Sequence, residues 1–157
     1  MSDRSPSLVL MCGLPGAGKT TLARRLEREL PAVRLCPDEQ LAAEGADLFD
    51  EAARADLEQR QWNQAQRLLA VGTSVILENG FWGRSERDEK RLRARELGAR
   101  VELRYLAVPM TELERRIAVR NREPGAPVLT AAMLREWLRL FEAPAPAELD
   151  LFDRPSS

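Results

Sequence analysis

The chain has 157 residues, 44% of them hydrophobic, enough for one domain with a real core and too few for two. A net charge of −1 offers no global attraction to nucleic acid or to an anionic membrane, so any polyanion site has to be local. Histidine is absent, which excludes Ser-His-Asp and Cys-His catalysis and any zinc site built on imidazole, and leaves a carboxylate as the general base.

Met1 to Ser7 is polar and lacks the apolar core of a signal peptide, and no apolar run nears the roughly twenty residues of a bilayer span. A cytoplasmic protein without a membrane partner is expected. Leu8 to Cys12 is a short apolar run of strand type, and Thr20 to Leu30 has helical spacing, with Leu22, Ala23, Leu26 and Leu30 on one face. Ala32 to Cys36 reads as a second strand, broken by Pro37 and followed by Asp38 and Glu39. Gly45 to Asp50 is a loop. Glu51 to Ala70 is a long helix, its apolar positions (Ala55, Leu57, Trp62, Ala65, Leu68, Leu69) mostly one-sided, and Gly72 ends it. Ser74 to Glu78 is a third strand and Asn79 to Gly83 the loop beyond it. Arg84 to Leu97 is a charged helix closed by Gly98, and Val101 to Val108 a fourth strand ended by Pro109. Thr111 is expected to cap the next helix, with Glu114 completing a capping box, and that helix runs to about Asn121. Glu123 to Pro127 reads as a mobile segment; Thr130 then caps a last helix through Phe141, stopped by Ala143-Pro144-Ala145-Pro146. Only Glu148 to Phe152 remains to supply a fifth strand. Cys12 and Cys36, each ending a strand, read as buried small hydrophobes rather than as a disulfide or metal pair.

Strands alternating with helices predict an α/β fold, a parallel sheet of four or five strands covered on both faces, with ligands at the carboxyl ends of the strands. That rule gathers residues 13–20, Asp38 and residues 78–84 around one crevice. Gly13-Leu14-Pro15-Gly16-Ala17-Gly18-Lys19-Thr20 fits G-x-x-x-x-G-K-[ST] and lies between the first strand and the first helix, the context this motif needs. Gly13, Gly16 and Gly18 are expected to take backbone angles closed to other residues, so that N–H groups point inward while the new helix turns its positive end toward an anion. Lys19 is one of only two lysines among 24 basic residues, and a compact ammonium fits between two phosphates where a guanidinium fork does not. Thr20, followed by Thr21, offers a hydroxyl to Mg²⁺. The loop is read as a triphosphate cradle, for ATP or GTP. Neither the N-K-x-D base reader nor the D-x-x-G switch of a GTPase occurs, and the length excludes the helical second domain of a ring-forming ATPase. A small nucleotide-dependent phosphotransferase remains, in which catalysis is mostly positioning and charge stabilisation.

Together with the phosphate loop, the Cys36-Pro37-Asp38-Glu39 turn, the stretch Leu77 to Arg87, the helix end at Arg116, Arg120, Asn121 and Arg122, and the tail Phe141-Glu142-x-Pro144 resemble the P-loop kinase group. That group contains chloramphenicol phosphotransferase, zeta toxin, gluconate kinase and the polynucleotide 5′-kinase domain. The resemblance runs from Leu8 to about Glu148 and implies one P-loop NTPase domain over residues 1–157, a three-layer α/β/α sandwich with a short lid at about 116–130. It implies that Asp38 accepts or orients the proton of an attacking hydroxyl; the competing reading is a cap for the short helix from Glu39. Glu78 stands where relatives carry an aspartate, and whether it holds Mg²⁺ through water or binds substrate stays open. Arg116, Arg120 and Arg122 match lid arginines that neutralise the moving phosphoryl group, with Arg120 the first choice; a solvated helix face beside Glu112, Glu114 and Glu123 is the alternative. The acceptor pocket is expected between the Asp38 turn, the helix from Glu51 and the loop at Phe81, lined by Trp62, Phe81, Trp82 and Arg84, with core packing competing for Trp62. The activity implied is ATP:alcohol phosphotransfer to a small molecule, an antibiotic of the chloramphenicol or nucleoside type among the candidates. Two rivals stand beside it: a polynucleotide or nucleotide-sugar kinase of the zeta-toxin kind, and a nucleotide-binding switch without catalysis.

Overall fold

Strand β1 (Ser7–Cys12) is buried at all six positions, as an inner strand with a hydrogen-bonded neighbour on each side. The computed structural model describes residues 5–125 and 128–155. After β1 come α1 (Lys19–Glu29), β2 (Val33–Leu35), α2 (Pro37–Ala43), α3 (Glu51–Ala70), β3 (Val75–Gly80) and α4 (Arg84–Glu96). Strand β4 (Arg100–Tyr105) follows, then α5 (Met110–Arg120), α6 (Ala131–Leu140) and α7 (Pro146–Leu149). The sheet has the order β2-β3-β1-β4, and every pairing is parallel.

The two-residue period of the strands sorts side chains to opposite faces. Leu8, Leu10 and Cys12 of β1 and Val75 and Leu77 of β3 pack with Trp62, Ala65 and Leu69 of α3 and Ala94 of α4. Val9, Met11 and Ile76 face the other way, onto Ala23 and Leu26 of α1. Helices therefore cover both faces, as the α/β sandwich predicts. Truncating a fully buried leucine such as Leu10 to alanine would cost about 2–5 kcal/mol. A third apolar cluster joins Leu14 and Ala17 of the β1–α1 loop to Leu113 and Ile117 of α5 and Leu134 of α6, which fixes the loop from behind.

Three expectations need correction. The fifth strand does not form: Pro146 at the first helical position starts α7 instead, and the sheet has four strands among the described residues. The open edge of β4 is covered by Asp153, whose backbone N–H donates to the Val101 carbonyl at 2.8 Å and whose carboxylate accepts from the Val101 N–H at 2.8 Å. Thr111 does not cap α5, because the helix begins one residue earlier, with Pro109 at the N-cap and its carbonyl accepting from the N–H groups of Glu112 and Leu113 at 3.0 Å. Strand β3 runs on through Asn79 and Gly80, which the sequence assigns to a loop. Thr130 caps α6 as read, its hydroxyl accepting from the Met133 N–H at 3.1 Å, and Asp50, read as the end of a loop, caps α3. Both cysteines are free. Of the segment read as mobile, Ala126 and Pro127 lie outside the described residues; its base is tied by Asn121, whose side-chain amide donates to the Leu129 carbonyl at 2.7 Å and accepts from the Leu129 N–H at 2.9 Å. No helix among the described residues is long and apolar enough to cross a membrane.

Candidate active site

The turn from β1 into α1 closes at the carboxyl end of the central strand. Gly16 and Gly18 have φ of +88° and +99°, in the left-handed region where a side chain is strained. Gly13 does not; there the constraint is space, since a Cβ would meet the Ala17 Cβ at 3.2 Å and the Leu106 carbonyl oxygen at 3.3 Å. Gly18 is the N-cap of α1 and supplies no side-chain cap, so the first-turn N–H groups keep their donors for an anion. Lys19 curls back over the loop, its Nζ donating to the carbonyls of Gly13 and Leu14, both at 3.0 Å. Burial pushes this ammonium down to about 8, against the pull of Asp38 and Glu78.

Thr20 donates its hydroxyl to Glu78 Oε1 at 2.8 Å. The other Glu78 oxygen faces Arg34 of β2 in an ion pair, and Arg34 also pairs with Glu39. Glu78 is 5% exposed, and a buried carboxylate at a strand end needs such a cation. Arg34 holds the Glu39 carboxyl below the usual carboxylate range. Mg²⁺ takes hard oxygen ligands and keeps several waters, binding through one or two carboxylates plus substrate phosphates. Thr20 Oγ1 with Glu78 across from it fits that demand. Among the described residues no group of three or more acidic, Cys or His side chains forms a cage.

Asp38 sits at the second position of α2, its Oδ1 receiving Arg54 Nη1 at 2.6 Å; Arg54 Nε lies 3.1 Å from Glu58 of the same helix α3. Two chambers meet here. One, of about 400 Å³, contains Gly16, Gly18, Lys19, Thr20, Thr21 and Glu78. The other, of about 450 Å³, is walled by Leu48, Phe49, Glu58, Glu86, Met133 and Trp137. Pro15, Asp38, Arg54, Asn79, Trp82 and Arg120 line both. Trp82 donates its indole N–H to the Gly13 carbonyl at 3.2 Å and leans on Trp137, ring centroids 6.2 Å apart.

The remaining residues singled out in the sequence lie elsewhere. Trp62 packs in the core at 6% exposure with the Lys90 ammonium 4.8 Å over its ring, so it is not a pocket wall. Phe81 is also buried, at 1%, with φ +48°, and its carbonyl accepts from Arg87 Nη1 at 2.8 Å; its side chain belongs to the core and its backbone turns Trp82 outward. Arg84 points along its own helix to Asp88 at 2.9 Å and lines neither chamber. Of the three arginines at the end of α5, Arg120 lines both chambers. Arg116 instead clamps the loop from behind, Nη1 donating to the Gly16 carbonyl at 3.0 Å and Nε to Glu112 at 3.0 Å; Arg122 is exposed and lines neither chamber. Sequence reasoning missed Arg34, Arg54, Glu58, Glu86 and Trp137. Glu58 and Glu86 carried the one available signal, polar positions on the faces of two helices that flank the crevice.

A glycine loop closing on lysine and threonine at the central strand of a parallel sheet, with a carboxylate and an arginine facing it, defines a P-loop nucleotide-binding domain of the kinase type. A family model described as an AAA domain matches residues 8–144, and the chain belongs to that family of P-loop, kinase-like phosphotransferases. Among proteins of curated function none matches. Solved structures agree on the fold. A chain of a Pnkp1/Rnl/Hen1 RNA repair complex superposes with a TM-score of 0.77 at 20% identity, covering 97% of this chain and 48% of that one. A sugar kinase from a Janibacter species gives 0.63 at 26% identity, with 92% and 82% covered. APS kinase of Mycobacterium tuberculosis in complex with AMPPNP and APS gives 0.58 at 27% identity, with 71% and 68% covered. The chain thus spans about half the length of the RNA-repair chain it matches, 48%.

Proposed function

We propose that the protein transfers the γ-phosphate of ATP to a hydroxyl of a small molecule. The observation that supports this reading best is the shared wall: Asp38 and Arg120 border both the phosphate-loop chamber and a second chamber that of the loop only Pro15 lines. A switch or motor needs only the first. In this reading the triphosphate occupies the loop, and Lys19 exchanges its two carbonyl partners for phosphate oxygens. Thr20 and Glu78 would hold Mg²⁺, which when bound offsets charge on the phosphates. The acceptor hydroxyl approaches from the second chamber, and its oxygen forms a bond to the γ-phosphorus as the bond from that phosphorus to the bridging oxygen of ADP breaks. Its proton passes to the Asp38 carboxylate, which Arg54 orients, while Arg120 faces the negative charge of the moving group. An antibiotic alcohol is the first acceptor to test, because of the resemblance to chloramphenicol phosphotransferase. A single-stranded oligonucleotide is the contrasting one.

The test is transfer of γ-labelled phosphate to a panel of alcohols, antibiotics, sugars and oligonucleotides. Asp38→Asn is expected to lower turnover by about 10²–10⁴-fold while nucleotide binding persists. Unchanged turnover in that variant would remove Asp38 from the chemistry. Nucleotide binding with no acceptor labelled by the unaltered chain would leave the switch reading standing.

A further inference from the structure

The walls of the larger chamber narrow what can sit in it, and this inference rests on reading that chamber as the acceptor site. Its apolar surface includes Leu48, Phe49, Trp82, Met133 and Trp137. Its charged surface is lopsided: the carboxylates Asp38, Glu51, Glu58 and Glu86 stand against the guanidiniums Arg54 and Arg120. Arg54 is already committed to Asp38 at 2.6 Å and to Glu58 at 3.1 Å. Arg120 also borders the phosphate chamber, where a triphosphate would claim it. The Glu86 carboxylate makes no hydrogen bond or ion pair among the described residues. Burial pushes the carboxyls of Glu58 and Glu86 above their usual range, and the charge of Glu86 adds to the effect on Glu58.

A second, independent observation comes from Asn79. It lines both chambers, and its side-chain carbonyl oxygen is shielded from solvent without a hydrogen-bond partner. Buried acceptors left unpaired are costly, and a donor supplied by a ligand would satisfy this one. The chamber is therefore rich in hydrogen-bond acceptors, poor in free donors, and faced by aromatic rings.

We infer that the acceptor alcohol carries a protonated amine, seated beside Glu58 and Glu86 under the rings of Trp82 and Trp137, with its hydroxyl at Asp38. An ammonium has three donors and no acceptor, which complements these walls. It is attracted to aromatic faces and relieves the repulsion between the two carboxylates. A neutral polyol would satisfy the oxygens and leave the charge. An acidic acceptor, such as gluconate or an oligonucleotide, would meet like charge with too few donors to balance it.

The experiment uses the full chain with γ-labelled ATP and Mg²⁺, and offers matched pairs of alcohols as the free amine and as the N-acetyl amide. Phenylserinol and puromycin supply the pairs; gluconate and a single-stranded oligonucleotide are the anionic acceptors. The free amines are expected to exceed their amides by at least about tenfold in kcat/KM, in line with a charged hydrogen bond. Glu86→Gln is expected to pull that ratio toward unity mainly through the KM of the amine. If that variant fails to fold, Glu58→Gln provides the same readout. Equal use of amine and amide, or preference for an anionic acceptor, would overturn the inference and leave phosphotransfer intact. Label transfer to no acceptor, with nucleotide still bound, would overturn both.

Discussion

Lys19 lives in two electrostatic settings, and its titration should distinguish them. Without a nucleotide its ammonium is buried against carbonyls, with a pKa lowered from 10.5 to about 8. Between about pH 8 and 10.5 the unfolded chain then holds more of the Lys19 proton than the folded one, so this residue's contribution to stability climbs as pH rises. Between about pH 9 and 11 Cys12 and Cys36 act in the opposite sense. Burial raises both thiols from 9.0 to about 11, so the unfolded chain ionises them first and stability falls. Chemical denaturation across this range checks both slopes, and Lys19→Met should erase the climb while keeping the fall. A triphosphate returns the proton to Lys19, so affinity should drop by up to about tenfold per pH unit above about 8. Calorimetry in buffers of different ionisation enthalpy would detect the proton uptake, and a flat affinity would separate Lys19 from the phosphates. At this scale the sequence was readable where one residue carries its own context: Lys19 in its motif, Asp38 and Glu78 at the ends of strands. Arg34 was not, because its partner Glu78 is 44 positions away (78 − 34) and becomes its neighbour only through the pairing of β2 with β3.

Helix α7 shows how a short element can govern a distant loop. Its Glu148 is buried and accepts a fork from Arg87 of α4, Nε at 2.6 Å and Nη2 at 2.9 Å, while the third Arg87 nitrogen holds the Phe81 carbonyl. The left-handed backbone at Phe81, with φ +48°, costs of order 1–3 kcal/mol and persists because its surroundings fix it. Arg87→Met should destabilise the fold by about 3–5 kcal/mol, since it strands a buried carboxylate. Combining it with Glu148→Leu should recover most of that loss. Urea unfolding of the single and double variants measures the difference, and additive losses would mean that the pair is not coupled. Periodicity and glycine stops located the long helices and the inner strands. They failed at residues 148–152, where the alternation of polar and apolar side chains looks like a strand but the preceding proline and the buried ion pair choose a helical turn. They failed also at Thr111, where a proline two residues earlier already occupies the cap.

Across the whole molecule, the order of the strands does what no local pattern could announce. It places β3 between β2 and β1, which brings Asp38, Glu78 and the phosphate loop together at one edge. The rule about carboxyl ends made that crevice legible, whereas its division into two chambers was not, because α3, α4 and α6 bring the second set of walls from separate parts of the chain. The doubly bonded carbonyl of Gly13, served by both Lys19 and Trp82, carries a kinetic corollary. When the lysine swings to a polyphosphate, the indole is left as that oxygen's remaining side-chain donor, and the ring's footing beside the second chamber tightens. Loading should then be sequential, nucleotide ahead of alcohol. Initial-rate studies with dead-end analogues would show this as an acceptor analogue that inhibits uncompetitively against ATP, and mixed inhibition there would point to random arrival.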